Sequence, residues 1–229
     1  MAGQPPEKEG GEPVKLERER SLLAEYGRRM SQAGLSVGTS GNLSVYVPEE
    51  GVMAVTPSGM EYEAITPADI VLMTPDGHET EGARKPTSEW ALHGGFYRCH
   101  PEARAVIHTH SVYCTVLACL GRPLEAVHYA IAAAGVSRVP VAPYRLFGTP
   151  ALAEAAVDTC GDGKAVLLAN HGLVVWEESL PKAFALARDL EFTAELQWRA
   201  MAAGTPHILS DSQMEEALER FRTYGQPKK

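Results

Sequence analysis

A chain of 229 residues with 45% hydrophobic content can bury one sizeable core, and 22% charged residues is ordinary for a soluble domain. The formal net charge of −8 argues against nucleic acid or an anionic membrane surface as partners, since both select basic proteins. It leaves room for an anionic small molecule held by one local site.

The opening segment MAGQPPEKEGGEP is rich in Pro, Gly and Glu, so residues 1–14 are expected to be disordered, with one domain over 15–229. That opening carries no hydrophobic signal core, and no apolar run approaches the ~18 residues of a membrane span. The expected setting is therefore the cytoplasm. From Lys15 to Ala33, Leu16, Leu22, Leu23, Tyr26 and Met30 recur at helical spacing, with Gly34 as the C-terminal cap. LSVYV and VMAVT alternate as strands around the turn Pro48-Glu49-Glu50-Gly51, a hairpin. A further strand over Ile70–Thr74 stops at Pro75-Asp76-Gly77. Thr87 or Ser88 caps a helix running to about Arg98. Residues 103–111 read as a strand, 112–120 as a helix, and 139–142 as a short strand. A helix over 150–159 precedes the apolar strand 164–172. Long helices follow at 180–203 and, capped by Ser210, at 211–222. Mixed strands and helices without a βαβ rhythm point to a three-layer α/β/α sandwich with a mixed, mostly antiparallel sheet.

The four cysteines, Cys99, Cys114, Cys119 and Cys160, form no C-x-x-C pair and read as reduced, mostly buried thiols. The histidines are more informative. His108 and His110 are two apart on a predicted strand, so their imidazoles share a face. His171 stands at the exit of a second apolar strand. A third imidazole arriving from there would complete a His₃ set with an open position, a catalytic zinc arrangement, although imidazole also suits other transition metals. Taken alone, an H-x-H pair is also compatible with ordinary core or surface histidines. His78, His93, His100, His128 and His207 read as surface, capping or core residues.

Three segments suit an anion. Lys85-Pro86-Thr87-Ser88-Glu89 opens a helix, whose N-terminus attracts phosphate. Gly38-Thr39-Ser40-Gly41-Asn42 and Thr56-Pro57-Ser58-Gly59 form tight, donor-rich turns. Each is equally readable as plain turn and cap chemistry. Glu89, beside the first of them, is a candidate metal ligand, helix cap or acid/base.

Taken together, GTSGNLSV, TPSGMEYE, PTSEWALH, HPEARAVIHTH, AVHYAIAAAG, PVAPYRLFGT, NHGLV and FRTYG, in this order and spacing, resemble the class II (metal-dependent) aldolase family. Its members include fuculose-, rhamnulose- and ribulose-phosphate enzymes, and the likeness is greatest to the fuculose-phosphate aldolases. It runs from about residue 16 to Gly225. The resemblance implies one Zn²⁺ per subunit on His108, His110 and His171, with Glu89 both catalytic and able to touch the metal. It places Thr39, Asn42, Ser58, Gly59, Thr87 and Ser88 around the substrate phosphate. Tyr129 falls on the tyrosine that donates or accepts a proton at the aldehyde oxygen, and Phe147 and Tyr224 on residues of the substrate pocket. The implied reaction is cleavage of a ketose 1-phosphate, such as L-fuculose 1-phosphate, into dihydroxyacetone phosphate and an aldehyde such as L-lactaldehyde. The implied assembly is a homotetramer with sites at subunit interfaces, which makes Tyr129 and Tyr224 candidates to reach a neighbour's site. Alternatives on the same scaffold are a pentulose-phosphate 4-epimerase and a methylthioribulose-1-phosphate dehydratase; a non-catalytic adducin-like module is a further one. Two departures stand out: Thr87-Ser88 replaces a pair of serines, and Arg145-Leu146 before Phe147 alters the sugar-tail side of the pocket.

Overall fold

The computed structural model describes residues 15–222, so the expectations for segment 1–14 and for Tyr224 lie outside the described residues. Among the described residues there are eight strands: β1 (Asn42–Val47), β2 (Val52–Val55), β3 (Val71–Met73), β4 (Glu79–Glu81), β5 (Ala105–Thr109), β6 (Val141–Ala142), β7 (Ala165–Leu168) and β8 (Gly172–Glu177). They form one sheet in the order β4-β3-β2-β1-β5-β8-β7-β6. Each neighbouring pair is antiparallel except β6 and β7, which run parallel. The exception has a simple cause. Short turns join β1 to β2, β3 to β4 and β7 to β8 as antiparallel pairs, whereas the chain from β6 to its neighbour β7 crosses over through a helix.

The helices are α1 (Glu17–Gln32), α2 (Trp90–Cys99), α3 (Val112–Cys119), α4 (Pro150–Cys160), α5 (Leu180–Ala203) and α6 (Asp211–Arg222). Side-chain alternation along the strands sorts them into two layers. Leu43, Ala105, Ile107, Leu167, Leu173 and Val175 face α1, α3, α5 and α6, where Leu23, Met30, Leu117 and Leu190 meet them. Val106, Val166, Val174 and Trp176 face α2 and α4, against Leu92, Phe96, Leu152 and Ala156. Fully burying a ring such as Phe96 contributes about 3 kcal/mol of hydrophobic stabilisation. This is the α/β/α sandwich expected from the sequence.

Several boundaries differ from the sequence reading, each for a local reason. The apolar run 164–172 does not continue as one strand. Asn170 takes the left-handed region at φ 56, and the chain reverses so that Leu168 pairs with Gly172. β4 is an edge strand of exposed polar residues and has no apolar signature. β5 ends at Thr109, one residue before His110. The strand expected over 139–142 shortens to β6, because Val139 instead exchanges backbone hydrogen bonds with Leu124. The helix expected to be capped by Thr87 or Ser88 begins at Trp90, with Glu89 in the cap position.

A carboxylate fastens the turn before β3. Asp69 Oδ2 accepts hydrogen bonds from the Thr66 amide (3.0 Å) and hydroxyl (2.6 Å), and Oδ1 accepts from Arg84 Nε at 2.8 Å. The Thr66 hydroxyl first, then the Arg84 guanidinium, holds this carboxyl down to about 2. A depressed native pKa stabilises above the unfolded value near 4 and loses that contribution as pH falls toward 2. Allowing for screening at the half-exposed Arg84, Asp69→Asn is expected to lower stability by about 1–2 kcal/mol at neutral pH. The deficit should shrink as pH falls toward 2, and urea midpoints at pH 7 and pH 3 measure it.

Candidate metal centre and active site

The site forms where β1, β5 and β8 meet the start of α2. His108 lies on β5 at the same parity as Val106, so it faces α2 and is fully buried. Its register partner on the adjacent strand is Asn42. His110 follows β5 directly, and His171 sits in the three-residue turn between β7 and β8. One ligand nitrogen from each of the three rings lies within 4.8 Å of the others.

Two glycines permit this convergence. A Cβ on Gly172 would stand 2.2 Å from the Thr109 carbonyl oxygen, so β8 approaches β5 closely only because position 172 has no side chain. Gly41 has φ +75, and a Cβ there would come 2.7 Å from the His108 carbonyl oxygen. Glu191 secures the segment after His110. Its carboxylate reaches from α5 and accepts the Tyr113 and Cys114 amides at 2.8 and 2.9 Å, capping α3.

The residues present fit a cation. His108 Nδ1 donates to the Leu173 carbonyl at 3.0 Å, which leaves Nε2 as a bare lone pair toward the cluster. His110 Nε2 lies 3.0 Å from that atom. Glu89 completes the ring of donors: Oε2 is 3.3 Å from His108 Nε2, and Oε1 is 3.5 Å from His171 Nε2. Oε1 is buried without a hydrogen-bond partner. A buried, partnerless carboxylate oxygen among imidazole nitrogens is costly unless a positive charge joins it. Burial first, then the neighbouring imidazoles, pushes His108 down to about 4 and lowers His110, keeping both neutral as ligands must be. Burial works to raise the Glu89 carboxyl, but His108, the Asn42 amide and His171 outweigh it, so it lies below the usual carboxylate value.

Beside this cluster opens a cavity of about 370 Å³. Thr39, Asn42, Ser58, Gly59, Thr87, Ser88, Glu89, His110, Phe147 and His171, all singled out from the sequence, line it together. Backbone pairing brings two of the donor segments side by side: the Ser58 amide donates to the Lys85 carbonyl, and the Thr87 amide to Thr56. That pairing also holds Thr87 and Ser88 outside α2. The buried Thr87 hydroxyl accepts from the Glu89 amide at 3.3 Å, while Ser58 and Ser88 are exposed to the cavity. Tyr144 and Arg145 supply the outer wall.

A family model described as Class II Aldolase and Adducin N-terminal domain matches residues 21–198. The chain belongs to the class II aldolase family. Class II aldolases are metal-dependent enzymes acting on small phosphorylated sugars, in keeping with the three-histidine cluster. A 5-deoxy-D-ribulose 1-phosphate aldolase of Bacillus thuringiensis serovar kurstaki is 42% identical over 211 residues, covering 92% of this chain and 99% of that protein. The L-fuculose phosphate aldolase of Escherichia coli K12 is 42% identical over 197 residues, covering 86% and 90%. A solved structure of an L-fuculose 1-phosphate aldolase superposes with a TM-score of 0.87 at 40% identity, covering 90% and 96%. Named aldolases that match most of the chain leave the adducin-like alternative without support.

One residue expected at the site stands apart from the cavity. Tyr129 is 56% exposed in a 3₁₀ helix (Tyr129–Ala134), with its ring against His128 and Phe221, and it does not line the cavity. Tyr224 lies outside the described residues. Conversely, His93 carries no site assignment from sequence alone. It is fully buried behind Asn42, and its spacing of four from Glu89 was the available signal. Among the described residues no helix is long and apolar enough to cross a membrane.

Proposed function

We propose that the chain is a zinc-dependent aldolase that cleaves a deoxy-ketose 1-phosphate, of the L-fuculose or 5-deoxyribulose 1-phosphate kind, into dihydroxyacetone phosphate and a short aldehyde. The observation that carries this reading is the partnerless Glu89 Oε1, set among three imidazoles at the edge of a hydroxyl-lined cavity. His108, His110 and His171 would hold the ion. Zinc, when bound, supplies Lewis acidity for the substrate's carbonyl and adjacent hydroxyl oxygens.

The chain's own groups do the rest. The hydroxyls of Thr39, Ser58, Thr87 and Ser88, with Gly59 and Asn42, anchor the phosphate and hold the reacting carbons in register. Glu89, ionised and a hydrogen-bond length from Asn42, transfers the proton at the nucleophilic carbon. Phe147 and Tyr144 offer apolar surface to the aldehyde half, which suits a product ending in a methyl group. Tyr129 would accept the proton of the hydroxyl that becomes the aldehyde oxygen on cleavage, and donate it back in condensation. Its exposure, and its absence from the lining of this cavity, favour its entry, with Tyr224, into a neighbouring subunit's site within a homotetramer.

The test is a product assay over a panel of ketose 1-phosphates, with and without added zinc. Dihydroxyacetone phosphate release, read by a coupled dehydrogenase, is expected from at least one deoxy-ketose 1-phosphate and only with metal. A 4-epimerase or a dehydratase would convert substrate without releasing it, and that result would overturn the aldolase assignment. A cytoplasmic setting suits this substrate class.

A further inference from the structure

Behind Glu89 runs a buried chain of side chains that the reaction itself does not consume. Asn42 Nδ2 donates to Glu89 Oε2 at 2.9 Å. His93 Nε2 lies 2.5 Å from Asn42 Oδ1. Ser44 Oγ lies 2.6 Å from His93 Nδ1 and 2.6 Å from Tyr97 Oη. Asn42, Ser44, His93 and Tyr97 are all buried. The fold sets the spacing. Asn42 and Ser44 are two apart on β1 and share its α2 face, while Glu89, His93 and Tyr97 follow one another at four-residue intervals down α2.

The direction of each hydrogen bond follows from elementary donor and acceptor chemistry. An ionised carboxylate only accepts, so Asn42 must turn its NH₂ toward Glu89. Its carbonyl oxygen then faces His93, and Nε2 must carry the proton. Burial, with His108 second, pushes His93 down to about 3, so the ring is neutral and Nδ1 is bare. Ser44 therefore donates to Nδ1, and Tyr97 donates to Ser44. Every donor in the series points toward Glu89, an arrangement in which neighbouring hydrogen bonds polarise one another.

We propose that His93 is a positioning residue for the reaction: through a one-way hydrogen-bond series from Tyr97 and Ser44, it locks the Asn42 amide so that its NH₂ holds Glu89 Oε2 and aims Oε1 at the three histidines. Without His93, the Asn42 amide is free to flip. Its oxygen would then face the carboxylate, and Glu89 would lose its fixed pose. The inference rests on the acid/base role given to Glu89 above.

Two experiments test it. In the first, ¹⁵N–¹H correlation of the side-chain imidazoles in metal-free protein reads the tautomer. His93 is expected as the neutral Nε2–H form throughout pH 6–9; an Nδ1–H form or an imidazolium would overturn the one-way series. In the second, His93→Leu is expected to lower kcat about 10- to 100-fold, the usual range for a residue that orients a reacting group through another. Zinc content should change less than twofold, and KM should rise by much less than kcat falls, since Asn42 is one phosphate contact among several. His93→Gln, which keeps a donor for Asn42, should recover most of the loss, and Ser44→Ala should show a smaller fall in kcat. A His93→Leu enzyme with wild-type kcat, or one whose losses follow misfolding and are not rescued by Gln, overturns the proposal. Glu89→Gln measured alongside separates the two claims. If Glu89→Gln is inactive and His93→Leu is normal, only positioning fails; if Glu89→Gln is normal, the role of Glu89 fails instead.

Discussion

Glu89→Gln is expected to reduce kcat by about 10²- to 10⁴-fold, the span that a positioned general acid or base commonly supplies. The substitution keeps the side chain's volume in a pocket where Glu89 is 6% exposed, so the fold and cavity should survive. An amide retains an oxygen or an NH₂ toward Asn42, but it carries no charge and cannot take a proton in the relevant range. The three imidazoles remain, so zinc measured by mass spectrometry should stay near one per chain, with affinity weakened by the loss of a nearby negative charge. KM for the phosphorylated substrate should move little, because the proposed phosphate donors at Ser58, Gly59 and Ser88 line the cavity and are untouched. A large drop in kcat with metal and KM retained is the signature of a group that acts in the transition state. Near-normal turnover would remove Glu89 from the chemistry.

His171→Ala should abolish activity by a different route, and the loss should be close to total. His171 lies in the turn between β7 and β8 with its side chain about one-eighth exposed, so its removal opens a site edge more than a core. Circular dichroism and thermal unfolding of the metal-free protein should therefore be close to wild type. Bound zinc should fall well below one-tenth per chain. A ligand that binds only the native state stabilises it by RT ln(1 + [L]/Kd), about 2.7 kcal/mol at a hundredfold excess over Kd. Added zinc should raise the wild-type melting temperature and leave that of His171→Ala unmoved. EDTA treatment of the wild type should reproduce the variant, and zinc should reverse it. Full activity in stripped protein would exclude the metal reading. His108→Ala is a poorer probe, because His108 is fully buried and bonded to the Leu173 carbonyl, so its loss also disturbs the sheet.

Much of this site could be read from the chain before its structure, because the relevant signals are short-range. Alternation along 105–109 sets the parity of His108, and the turn residues at 38–42 and 56–59 announce the donor loops. What escaped depends on contacts distant in sequence. Lys85 to Thr87 pair with Thr56 to Ser58, and that pairing delays α2 to Trp90. The reversal at Asn170 splits an apolar run whose one glycine, Gly172, stands at its end and starts β8 instead of closing the strand. The four-residue ladder Glu89–His93–Tyr97 was visible as spacing. It acquired meaning only when β1 placed Asn42 and Ser44 opposite it. Tyr129, assigned through the family likeness, has a place in the chain but no contact with the cavity of that same chain.

The two sides of the cavity are built to different tolerances. Its floor is strand and helix, with buried groups interlocked by hydrogen bonds and a glycine that admits no replacement. Its outer wall, Tyr144, Arg145 and Phe147, projects from the segment after β6, and Tyr144 and Phe147 are each more than half exposed. Exposed positions of this kind usually change stability by no more than about 0.5 kcal/mol when substituted. On the proposed function, the protein can thus drift, or be steered in the laboratory, toward new acceptor aldehydes by variation in three neighbouring codons, while the interlocked groups beneath them stay as they are.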